Sequence, residues 1–100
     1  MDLLDVTRIT SSTTISVDPA ILGGLLVATD GVNSPTITAY NDVDANTEAN
    51  RVTPPMVVSA SSQEYVGFFP GQAAIRCRSA LHIAISDLGT GEVMVYWRTM

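Results

Sequence analysis

Apolar and polar positions along this chain alternate or gather in short runs, and almost nowhere recur at the three-to-four-residue spacing of an amphipathic helix. The runs are rich in Val, Ile and Thr. Gly, Pro, Asn, Asp and Ser punctuate them, as they do strands and turns. Extended segments are predicted over 6–10, 13–17, 21–29, 36–40, 56–60, 64–69, 73–78, 81–86 and 92–98. Alternation assigns their faces. Ile37 and Ala39 oppose Thr36, Thr38 and Tyr40, and Ala73, Ile75 and Cys77 oppose Ala74, Arg76 and Arg78. Leu81, Ile83 and Ile85 point inward, which turns His82 outward, and Val93, Val95 and Trp97 share a face. Gly23-Gly24 inside an apolar strand predicts a bulge or a close backbone approach.

The punctuation supplies the connections. Asp30-Gly31 is a turn signal and Ser34-Pro35 closes its loop, so 21–29 and 36–40 are expected to pair as a hairpin. The stretch 41–53 is the longest polar loop and ends at Pro54-Pro55. Further turns are expected at Ser61-Ser62, Pro70-Gly71 and Gly89-Thr90-Gly91. About eight strands at a spacing of roughly 8–12 residues is the signature of a sandwich or jelly roll. The expected fold is therefore all-β: one antiparallel, jelly-roll-like β-sandwich over residues 18–100. Residues 1–17 are either its first strands or an extended arm that docks on a neighbour.

Composition narrows the function classes. One hundred residues make one domain, and a 46% apolar fraction fills a core without staples. The single cysteine, Cys77, cannot bridge internally, which excludes a disulfide-built module. The longest apolar run, 19–28, is half of the ~20 residues needed to span a bilayer as a helix. The start, Met1-Asp2-Leu3-Leu4-Asp5, lacks the basic and hydrophobic regions of a signal peptide, so synthesis in the cytoplasm and no membrane partner are expected. Net charge is −5, lysine is absent, and Arg76 with Arg78 is the only local basic pair. Nucleic-acid binding needs clustered cations to neutralise phosphates, and none is expected here.

No side-chain constellation performs a recognisable reaction, and the chain is expected not to be an enzyme. His82 is the lone histidine. A relay needs a nucleophile beside it and an orienting group behind it. Cys77 lies on the preceding strand but faces the core, so a buried thiol and a surface histidine are the preferred reading. One Cys and one His are too few for zinc. Asp42, Asp44, Asn46 and Glu48 place oxygen ligands at alternate positions, as a calcium loop does. Thr47 stands where that motif turns on Gly, and Thr53 where it needs a bidentate Glu. A solvated polar loop is the better reading, and no cofactor is expected. Gly89-x-Gly91 lacks the lysine and helix of a phosphate cradle. Asp87 and Glu92 flank its turn as capping groups. Tyr65, Phe68, Phe69, Tyr96 and Trp97 could stack a sugar, but such residues more often fill a core or an interface.

Charge is also missing. Charged residues make up 15% of the chain, against about 25% in an average domain. Soluble monomers carry charged surfaces and blunt their sheet edges with lysine. Interface cores are depleted in charge. A homo-oligomer is expected, a trimer by preference.

Three stretches carry a resemblance: Gly24-Leu25-Leu26-Val27-Ala28-Thr29-Asp30-Gly31-Val32-Asn33, Thr36-Ile37-Thr38-Ala39-Tyr40-Asn41-Asp42, and Gly89-Thr90-Gly91-Glu92-Val93-Met94-Val95-Tyr96-Trp97-Arg98. Over 24–98 the chain resembles small bacteriophage virion proteins, including capsid decoration (cement) proteins. Residues 1–17 fall outside the match and are a candidate anchoring arm. The resemblance implies a jelly-roll-like sandwich on the exterior of a virion capsid. The implied partners are the major capsid protein or other virion proteins, and the implied role is bridging capsomers. The shared positions are scaffold positions, so no site residue is carried over. The alternative is a carbohydrate- or host-binding sandwich module of a tail or fibre.

Overall fold

The computed structural model describes residues 4–60, 63–67 and 74–100, with 63–67 described by their backbone. Among these residues the chain forms β1 (Asp5–Ile9), β2 (Thr13–Ser16), β3 (Ala20–Ala28), β4 (Thr36–Tyr40), β5 (Met56–Val57), β6 (Gln63–Gly67), β7 (Ile75–Cys77), β8 (Leu81–Ser86) and β9 (Glu92–Thr99). A single 3-10 turn, Glu48–Asn50, interrupts the long polar loop. The strands build two antiparallel sheets. One has the order β1-β9-β3-β6, with β7 also on β3, and the other has the order β2-β8-β4-β5. The protein is an all-β sandwich. The expected turns at Ser61-Ser62 and Pro70-Gly71, together with Phe68, Phe69 and Ala73, lie outside the described residues.

Pairing is nested about the middle of the chain. β1 pairs with β9, β2 with β8, β3 with β6 and β7, and β4 with β5. The chain changes sheet between β1 and β2, between β2 and β3, and between β3 and β4. This is jelly-roll winding. Residues 5–16 supply an edge strand to each sheet, and Ile9 on β1 is buried in the core.

The hairpin expected between 21–29 and 36–40 does not form. β3 and β4 lie in different sheets, and the Asp30-Gly31 segment crosses between them. The cause is local. Asp30 Oδ1 accepts the amides of Val32 and Asn33, so a side chain closes the turn and turns the backbone away from its own strand. Downstream, Val58 N donates to the Pro35 carbonyl and Ala60 N to Ser34 Oγ. The crossing loop is thereby tied to the segment after β5. Pro35 is fully buried at this crossing.

The core lies between the sheets where the alternation places it. Leu22, Leu25, Val27, Val93, Val95 and Cys77 come from the five-stranded sheet, and Ile37, Ala39, Leu81 and Ile83 from the other. Each of the Leu, Ile and Val side chains contributes roughly 1.5–3 kcal/mol when fully buried. The Gly23-Gly24 expectation is met by a register shift against β9 between Leu22 and Gly24. A Cβ on Gly23 would sit 2.4 Å from the Leu4 side chain, which covers the bulge.

Candidate functional site

Register assigns what each sheet presents outward. On the five-stranded sheet, Trp97, Val95 and Val93 face the core. Their neighbours Tyr96 and Met94 therefore face out, opposite Val6 and Arg8 of β1 and Gly24 and Leu26 of β3. Ile21 joins this face between Arg98 of β9 and Arg76 of β7. The face is apolar along its middle, with Val6 55% exposed. Arg8 and Glu92 form an ion pair across it. On the four-stranded sheet, the outward rungs pair Thr36 with Ser86, Thr38 with Ala84, and Tyr40 with His82. Thr14 stands beside His82 from β2, and Val57 beside Thr36 from β5. This second face carries hydroxyls, small apolar groups, one phenol and one imidazole.

His82 anchors a polar cluster on this second face. Thr14 Oγ1 donates to the Val43 carbonyl at 2.6 Å and lies 3.0 Å from His82 Nδ1. Its only proton is committed to the carbonyl, so the hydroxyl accepts from Nδ1–H. The neutral ring then keeps Nε2 as an acceptor. Tyr40 meets the imidazole edge-on, with ring centroids 6.3 Å apart. Burial lowers the His82 pKa, and the nearby Asp44 and Asp42 carboxylates offset part of that effect. The imidazole is therefore neutral at pH 7. The sequence gives no sign that Tyr40 and Thr14 would meet His82, because they arrive from β4 and β2 through sheet register.

The residues considered as sites are dispersed. Cys77 and His82 lie on strands of opposite sheets, and Cys77 is buried, with its thiol pushed up to about 11 by desolvation. Asp42 accepts Val43 N and Asn50 Nδ2, chiefly the latter lowering its pKa. Asp44 accepts Asn46 N, and Glu48 pairs with Arg51. These bonds hold the 41–50 loop. Among the described residues no three His, Cys, Asp or Glu side chains converge as metal ligands. Tyr96 faces outward, whereas Trp97 packs on the core and donates Nε1–H to Thr7 Oγ1 at 2.9 Å. These two do not share one stacking platform, and the Tyr65, Phe68 and Phe69 side chains lie outside the described residues.

Asp30 and Gly89 lock the opposite end of the sandwich. Asp30 Oδ2 accepts Asn33 Nδ2 and Thr90 N, which ties the β3–β4 and β8–β9 loops together. Four donors, led by the Asn33 and Val32 amides, hold its carboxyl well below the usual range. Asp87 and Gly89 both adopt left-handed backbone in the β8–β9 loop, so Asp87 works through its conformation while Glu92 reaches Arg8.

No protein-family model, curated protein or solved structure matches the chain.

Proposed function

We propose that this chain is a non-enzymatic structural protein of a bacteriophage virion, a decoration protein that sits on the capsid exterior and bridges capsomers. The observation that carries the reading is the outer surface of the sandwich. One broad face is apolar along its middle, and the outward rungs of the other hold no formal charge. Surfaces depleted in charge and enriched in Tyr, Met and Arg suit burial against protein. The three resembling sequence stretches point the same way. A homotrimer would multiply weak contacts with the major capsid protein into high avidity.

The alternative, a glycan-binding module of a tail or fibre, needs clustered exposed aromatics. The separation of Tyr96, Trp97 and Tyr40 weighs against it. Mass spectrometry of gradient-purified particles from the source lysate tests the proposal. The chain is expected in stoichiometric proportion to the major capsid protein. Its absence from intact particles would overturn the reading.

A further inference from the structure

Sheet register assembles a basic feature that is dispersed along the chain. Ile21 on β3 pairs with Arg76 on one side and Arg98 on the other. With strands about 4.8 Å apart, the two arginines stand roughly 10 Å apart on one outward rung. Arg78 follows directly after β7 and is exposed. Three of the chain's five cations therefore gather at one end of the apolar face, in a chain of net charge −5. Arg76 and Arg78 make no ion pair among the described residues.

Asp5 of β1, opposite Trp97, and Asp18, just before β3, lie near these arginines, but the larger acidic group at this end belongs to the other sheet. Asp42, Asp44 and Glu48 sit in the loop after β4. Ser79 N, next to Arg78, donates to Asn41 Oδ1 at 2.8 Å, which fixes the two regions at one end of the sandwich. The molecule thus has a basic rim beside one broad face and an acidic rim beside the other. Its dimensions are 36 × 32 × 19 Å, so each broad face exceeds the roughly 800 Å² per partner of a standard interface.

We propose that copies of this chain associate head to tail. The apolar outer face of the five-stranded sheet covers the uncharged outer face of the next copy's four-stranded sheet, and Arg76 and Arg78 meet that copy's Asp42, Asp44 and Glu48. Two like faces packed with the same ends aligned would juxtapose two arginine rungs, and packed antiparallel would leave the rungs without opposite charge, whereas unlike faces join opposite charges. A contact between different patches closes into a ring when its rotation permits. The proposal rests on the reading that the chain works by packing against other chains, and it names the surfaces and the chemistry of one such contact.

Charge exchange tests it in solution, with light scattering as the readout. Arg76→Glu/Arg78→Glu is expected to weaken association at least about tenfold, and Asp44→Arg/Glu48→Arg to do the same. Equal thermal melts for both variants and the parent confirm that the fold is intact. If either pair melts early, Arg76→Gln/Arg78→Gln, which removes charge without reversing it, is the deciding variant and should still weaken association. An equimolar mixture of the two reversed variants is expected to associate, because each then offers the patch its partner lacks. A parent that stays at 10.6 kDa, a reversed variant that associates like the parent, or a mixture that fails to recover would overturn the proposal. A particle-bound chain that is monomeric in solution would refute this contact and leave the virion reading standing. An oligomer absent from particles would do the reverse.

Discussion

Gly89 separates two reasons why a glycine can be required. Its φ is +60°, and a Cβ there would lie 2.1 Å from Asp30 Oδ2 and 2.3 Å from Asn33 Nδ2. Gly31, in the loop that Gly89 packs against, has φ +83° and open space around its missing Cβ. Gly31→Ala therefore meets only the left-handed backbone penalty, ~1–2 kcal/mol, partly offset by the stiffer unfolded chain, which leaves about 1 kcal/mol. Gly89→Ala meets the same penalty and must also displace side chains that four donors hold in place. Overpacking of this kind adds about 1–3 kcal/mol, for a total of roughly 2–4 kcal/mol. Urea unfolding followed by the fluorescence of Trp97, the only tryptophan, measures both. A domain of this size loses about 1–3 kcal/mol per molar urea, so the two midpoints are expected to differ by roughly 1 M. Coincident midpoints would refute the claim that the Asp30–Gly89 contact locks the two loops.

Three further outcomes follow from the core and from His82. Leu81→Ala removes a fully buried side chain and is expected to cost about 2–5 kcal/mol in the same unfolding assay. Cys77, with its thiol near 11, is expected to resist a thiol reagent at pH 8 until urea unfolds the chain, and rapid labelling of the native protein would contradict its burial. The folded pKa of His82 lies below its unfolded value, so the unfolded chain binds the proton more readily. The stability linked to His82 is full above about pH 6.5 and falls as pH drops through that value, and His82→Gln should flatten this part of the pH–stability curve.

Strand positions and faces were legible because alternation is a local property. Thr36–Tyr40 and Leu81–Ser86 match the predicted segments, and Ile37, Leu81, Ile83, Val93 and Val95 are all buried as their parity requires. Pairing was not legible. Asp30-Gly31 carries a hairpin signal, yet the Asp30 carboxylate, which accepts Val32, Asn33 and Thr90 donors, makes it a crossing between sheets. The same limit applies to the surface. Arg76 and Arg98 are far apart in sequence and become neighbours only because β7 and β9 flank Ile21. Likewise, Thr14, Tyr40 and His82 meet through β2, β4 and β8, which no spacing along the chain encodes.

The central claim is that this domain acts by having its broad faces covered by other chains. A cryo-electron microscopy map of the source particles tests it most directly. The expected result is density for a 36 × 32 × 19 Å sandwich on the capsid exterior, with both outer sheet faces in contact with neighbouring protein. Particles that contain the chain with both faces open to solvent, or that show no such density, would contradict it.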